Sequence, residues 1–187
     1  MQDYPIIYEP SFVIFWGGVM AFSLYSGGLL SFATIAIMML VLIHHEHAHV
    51  KQCLQRGAQV RSVRFTWMGG LVDAEIMYAN DAVPILTAGV FNTGCYALAF
   101  IGLLAAVTYI GRNIISMDFA YNPYLQFLNS IMLFTTIMFF SNILPITINS
   151  KKYGLISTDG WAAIKYIELR DELWNEGKYE SLVSRAK

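Results

Sequence analysis

Charge is what this chain has least of. Only 13% of its 187 residues are Asp, Glu, Lys or Arg, and none occurs from Pro10 to Ile43, from Ala82 to Gly111 or from Phe119 to Ser150. Soluble domains carry about 25% charged residues, so an ordinary water-facing surface is excluded. With 56% apolar residues and a mean hydropathy of +0.50, the composition is that of a membrane protein. Basic excess is missing too: the net charge of −1 excludes a nucleic-acid surface built on Lys and Arg. Two cysteines, Cys53 and Cys95, make no disulfide framework and read as small buried apolar residues. Met1 to Glu9 lacks a basic region, so no cleavable signal peptide is expected. Histidine is absent everywhere except in one stretch, His44-His45-Glu46-His47-Ala48-His49.

That stretch ends a long apolar run and contains the pattern H-E-x-x-H from His45 to His49. At about 100° per residue, a helix stacks His45 and His49 one turn apart, sets Glu46 beside them and turns His47 away. Two neutral imidazoles so placed can grip one Zn²⁺, and the neighbouring carboxylate can take a proton from water at the metal. An ionisable cluster in hydrocarbon is costly unless it is used.

A spanning helix needs about 20 residues, so the three uncharged runs have room for four crossings. The first is expected over Ser11 to Tyr25, with a turn at Ser26-Gly27-Gly28. The second runs from Leu29 through the histidines to Arg56, where Gly57 stops it. Lys51, Arg56, Arg61 and Arg64 follow in quick succession, and the positive-inside rule places that end, and both termini, in the cytoplasm. From Val60 to Tyr78 the period changes to two around Met68-Gly69-Gly70, which reads as a β-hairpin. Its exposed edge is one that an unwound peptide can join by strand addition. The third crossing, Ala82 to Ile110, contains Ala88-Gly89 and Asn92, a set suited to close helix approach and an interhelical hydrogen bond. Arg112 to Asp118 connects it on the outside to the fourth crossing, Pro123 to Ile143, which ends before Pro145. A polar loop then leads to Asp159-Gly160 and an amphipathic helix over Trp161 to Asn175. The expected fold is therefore an all-α polytopic membrane protein. It has about four transmembrane helices, a small hairpin between the second and third, and a C-terminal amphipathic helix, in one domain over 1–187 with its core at about 29–165.

A catalytic zinc usually takes three protein ligands and a water. No third histidine is suitably placed, so the candidates are carboxylates: Asp73, Glu75, Asp81, Asp118, Asp159 and those of the terminal helix. Asp159 follows the fourth crossing on the side where the histidines lie. It is also well placed simply to cap the helix after it, and the residues alone do not choose.

Two widely separated segments resemble the site-2 protease family of intramembrane zinc metalloproteases. Leu42 to His49, followed by Arg56-Gly57-Ala58-Gln59-Val60, is similar to its first motif, and Asn142-Ile143-Leu144-Pro145 with Asp159-Gly160 to its second, N-x-x-P followed by D-G. Ala88-Gly89 with Asn92 and the pair Gly69-Gly70 are similar to two further elements, in the family's order. The resemblance implies one zinc per chain held by His45, His49 and Asp159, with Glu46 as general base. It also implies that Asn142 and the hairpin glycines Gly69 and Gly70 meet substrate, which would be a transmembrane segment of another protein cut within the bilayer. Two departures stand out: thirteen residues separate Pro145 from Asp159 where the family has a few, and Val90 and Trp161 stand where Pro and Gly are common. A membrane metal-binding or transport protein using the His44–His49 cluster is the alternative, and a non-catalytic homologue a further one. A di-iron oxygenase would need more histidines than are present.

Overall fold

A computed structural model describes residues 4–67, 69–75, 79–111, 122–144, 146–150, 154–160, 162–165 and 167–168. Met68, the connection from Arg112 to Asp118, Pro145, Lys151, Lys152, Trp161 and the C-terminal part of the expected amphipathic helix lie outside them. In chain order the elements are β1 (Ile6–Tyr8), α1 (Pro10–Gln55), β2 (Gln59–Thr66), β3 (Gly69–Glu75), α2 (Ala79–Ile110), α3 (Pro123–Ile143), β4 (Thr147–Ser150) and β5 (Gly154–Ser157). Residues 159–160, 162–165 and 167–168 are again helical.

The protein is mostly helical, and three helices are long and apolar enough to cross a membrane: Pro10–Gln55, Asp81–Ile110 and Pro123–Ile143. The expected four are three because the first two merge into one element of 46 residues, broken at Gly28 (φ 69°, ψ −162°). Straight, such a helix would measure about 69 Å. Yet its two ends meet. The Glu9 amide donates to the Phe65 carbonyl at 3.0 Å, and Phe12 lies in one buried cluster with Val50, Cys53 and Phe65. Phe65 is only nine residues beyond Arg56, a reach of about 32 Å at most. The chain therefore doubles back at Gly28, in a backbone region that a Cβ all but forbids.

The hairpin appears where the period changes, with β2 and β3 antiparallel and Phe65 opposite Gly70. Three further strands depart from the expectation of an all-α protein with one hairpin. The chain start forms β1, which adds to β2 in parallel, Ile6 opposite Val63 and Tyr8 opposite Phe65. Tyr8 stacks on Phe65 with ring centroids 5.3 Å apart. The segment before Asp159, expected as a polar loop, is the antiparallel pair β4–β5. Cys53 is buried, but Cys95, also expected inside, is exposed on α2.

Several hydroxyls on the long helices are absorbed locally, as a low-dielectric setting favours. Ser23, Ser26, Ser31, Thr34, Thr87 and Thr135 donate to carbonyls one turn back. Asn92 instead crosses to α1, its Nδ2 donating to the His44 carbonyl at 3.1 Å.

The break at Gly28 has a measurable consequence. Gly28→Ala is expected to lower stability by about 1–3 kcal/mol, read as a fall of several degrees in the thermal transition in detergent. Gly18→Ala lies inside a helix, where an added Cβ meets nothing within 4 Å. It should leave the transition unchanged or raise stability by about 0.5–1 kcal/mol.

Candidate metal centre

The second half of α1 buries one stripe of its surface, Val41, Leu42, His45, Glu46, His49, Val50 and Cys53, and leaves His44 and His47 exposed. His45, Glu46 and His49 are only 3%, 7% and 6% exposed. Helical spacing alone accounts for this division.

Asp159 closes the site from 110 residues away. Its Oδ2 lies 3.0 Å from His45 Nε2 and 3.2 Å from His49 Nε2, and the two Nε2 atoms are 3.4 Å apart. A tetrahedral ion bound at about 2.0–2.1 Å holds neighbouring ligand atoms about 3.3–3.4 Å apart. The three donors thus have the spacing of a metal-binding group. The other carboxylates considered are engaged or turned outward. Asp81 pairs with Arg56 at 2.6 Å and Glu75 with Arg61 at 2.8 Å, Asp73 is exposed on β3, and Asp118 is outside the described residues.

Asp159 reaches the histidines despite the thirteen-residue interval because β4–β5 returns the chain to where it left. Thr158 fastens the base of that hairpin: its amide donates to the Ile146 carbonyl at 3.0 Å, and its Oγ1 donates to the Leu144 carbonyl at 2.5 Å. The Thr158 carbonyl then accepts from Ala162 at 3.0 Å, so Thr158 starts the next helical turn and Asp159 does not serve as its cap. A Cβ on Gly160 would stand 2.9 Å from the Asn142 carbonyl oxygen, so only glycine lets this turn lie against the end of α3. The C-terminal flank of α3 is set by sequence: Leu144, preceding Pro145, is extended at φ −63° and ψ 137°, as a residue before proline must be.

The imidazoles are oriented from behind. His49 Nδ1 lies 2.7 Å from the Ile85 carbonyl oxygen, which can only accept, so a proton sits on Nδ1 and Nε2 is the atom turned to Asp159 and available to a metal ion. His45 Nδ1 is buried with no partner among the described residues. Helix α2 lays Gly89 directly on both rings, where a Cβ would come within 2.6 Å of His45 Cε1 and Nε2. On the hairpin side Gly70 packs directly on the Glu46 carboxylate, where a Cβ would stand 2.7 Å from Glu46 Oε1.

Asp159 lies outside the long helices. Burial pushes its pKa up, but hydrogen bonds from His45 and His49 and their charge outweigh this and hold it at about 2.

His45, Glu46, His49, Asp159, Asn142, Gly69 and Gly70 all line one cavity of about 870 Å³. Asn142 donates to the Met138 carbonyl of its own helix at 2.9 Å. Trp16, Ile85 and Thr158 belong to the surroundings of the site but were not singled out from the sequence. Thr158 neighbours the D-G pair, whereas nothing local marks Trp16, which arrives because α1 folds back. Comparisons with protein-family models, with curated proteins and with solved structures find no match for this chain.

Two outcomes follow from this geometry. Gly89→Ala should weaken binding of a divalent ion at least about 10-fold, as loss of ligand orientation does elsewhere, measured by titration of metal-stripped protein. In metal-free protein the contribution of Asp159 to stability is complete above its ordinary pKa of 3.8 and is lost as pH falls towards about 2. Asp159→Asn should flatten the stability profile across that interval, followed by thermal unfolding in detergent.

Proposed function

We propose that the chain is an intramembrane zinc endopeptidase that cuts transmembrane segments of other proteins near the cytoplasmic face of the bilayer. The observation that carries this reading is the juxtaposition of His45, His49 and Asp159 at metal-ligand spacing, with Glu46 beside them on the wall of the same cavity. The resemblance of the two motifs to the site-2 protease family supports it independently. Because α1 doubles back, the three long helices count as four crossings. The run of Lys51, Arg56, Arg61 and Arg64 favours a cytoplasmic position for both termini.

When bound, a zinc ion supplies Lewis acidity, lowering the pKa of a water towards about 7 and polarising a carbonyl. The protein's own groups do the rest. Glu46, held on α1 one residue from His45, accepts the proton of the attacking water and returns it to the departing amide nitrogen. Asn142, on the cavity wall, offers a polar group to the peptide backbone. The cavity's apolar lining, which includes Trp16, Phe134 and Ile137, suits a hydrophobic segment and keeps competing water low. A substrate helix hides its carbonyls in its own hydrogen bonds, so it must be extended before it can react, and β3 offers an edge against which to extend it.

Less supports a metal-transport role. Transport calls for ligands spread along a path, whereas His44 turns to Tyr96, 2.5 Å from its hydroxyl, and His47 is exposed.

The test is zinc content and cleavage of a panel of single-span membrane proteins in liposomes. Wild type should hold about one zinc per chain. Glu46→Gln should keep the metal and lose at least about 100-fold in cleavage rate, and Asp159→Asn should lose zinc affinity. Full cleavage by Glu46→Gln would overturn the mechanism.

A further inference from the structure

Two of the three candidate ligands stand on a long helix, and the third does not. His45 and His49 are one turn apart on α1, and His49 Nδ1 is tied at 2.7 Å to the Ile85 carbonyl oxygen. Asp159 follows a hairpin that, among the described residues, forms a two-stranded sheet of its own. Its neighbour Thr158 ties that hairpin to the end of α3. The Leu144 amide donates to the Phe140 carbonyl at 3.0 Å, so Leu144 is still fixed to the helix. Its own carbonyl oxygen then accepts twice, from the Ile146 amide at 2.8 Å and from Thr158 Oγ1 at 2.5 Å. The Thr158 amide donates to the Ile146 carbonyl at 3.0 Å, a bond that valine or alanine would keep. The hydroxyl thus makes the one side-chain hydrogen bond, among the described residues, that fastens the Asp159 turn to Leu144. On the other side of Asp159, Gly160 lies against the Asn142 and Ile143 carbonyl oxygens. That contact limits how near the turn can come, but a glycine Cα supplies little to hold it there.

We propose that Thr158 is a positioning residue of the metal centre: by gripping Leu144, its hydroxyl holds the Asp159 carboxylate at the two imidazoles. Asp159 Oδ2 lies 3.0 Å and 3.2 Å from the two Nε2 atoms, and it is carried on the residue next to the clasp. Loosening the turn shifts the Asp159 backbone and swings that oxygen with it, while the histidines stay on α1. A ligand set must be held within about 0.5 Å of its working geometry. The third ligand's contribution to affinity therefore depends on Thr158, which itself touches no ion. Thr158 acts through Asp159 alone, so once the carboxylate is removed the hydroxyl has nothing left to position. This role rests on His45, His49 and Asp159 being a metal site; it does not require that the chain cut peptides.

The experiment is a Co²⁺ titration of the metal-stripped full chain in lipid nanodiscs, followed by the visible absorption of the bound ion. Thr158→Val removes the hydroxyl at nearly constant shape. It should bind Co²⁺ about 3- to 10-fold more weakly than wild type, the range that one neutral hydrogen bond commands. Thr158→Ala, which also lacks the hydroxyl, should behave alike, and Thr158→Ser, which keeps it, should stay within about 2-fold of wild type. In an Asp159→Ala background, where the two histidines are left to bind, adding Thr158→Val should change affinity by less than about 2-fold, because the effects of coupled residues are not additive. An equal weakening in both backgrounds would mean a general loss of structure and would overturn the proposal. Wild-type affinity in Thr158→Val, or weak binding by Thr158→Ser, would overturn it too. The metal site and the role of Thr158 fail separately. If Asp159→Ala bound as tightly as wild type, the carboxylate would be no ligand and the site itself would be wrong. If Asp159→Ala weakened binding and Thr158→Val did not, only the role of Thr158 would fall. Cleavage does not enter the readout, so an inactive chain leaves this result standing.

Discussion

The contact of Asp159 with His45 and His49 is the interaction on which the rest of the arrangement depends. Two imidazoles and a carboxylate are expensive to withdraw from water, and they remain in an apolar interior only by satisfying one another or an ion. Meeting that condition forces the end of the chain back onto α1. It requires α3 to finish at Ile143, the β4–β5 hairpin to close on itself at Thr158, and the following turn to lie flat on the α3 terminus. Together they deliver one oxygen atom to within 3.2 Å of both rings.

The second constraint is closeness. Helix α2 and strand β3 approach the histidines and Glu46 through Gly89 and Gly70, where any side chain would displace the reactive groups. A site sealed by backbone on two sides has little freedom to rearrange, so its metal-ligand spacing is held by packing and not only by the ligands' own attraction. The hairpin is in turn anchored by β1 and by the Tyr8, Phe12 and Phe65 rings. The start of the chain therefore braces the wall against which Glu46 rests. Folding the first helix back at Gly28 serves the same end, since it is the only way that β1 and the histidine stripe can share one side of the molecule.

Much of this was legible beforehand because it is local. The stripe that buries His45, Glu46 and His49 follows from 3.6 residues per turn. The hairpin follows from a change of period around two glycines, and the limits of α2 and α3 from uncharged runs bounded by Pro123 and by the polar residues near Asp81 and Asn142. The strands β1 and β4–β5 were not legible. Ile6 to Tyr8 is too short to carry a periodic signal, and its partner lies more than fifty residues away, so its hydrogen bonds are decided by where α1 turns. The stretch before Asp159 is polar enough to read as a loop, and its pairing depends on the Thr158 clasp.

The residues alone were enough to read long apolar helices, the helical stripe and two of the three candidate ligands, because each depends only on neighbours within a few turns. Which carboxylate completes the group was left open, with Asp73, Glu75, Asp81 and Asp159 all admissible by type. The folded chain favours one of them: Arg56 and Arg61 occupy Asp81 and Glu75, β3 turns Asp73 outward, and the closed hairpin brings Asp159 to the histidines. A ligand contributed from 110 residues away is a property of chain closure, and closure is set by long-range hydrogen bonds and steric fit that no local pattern encodes.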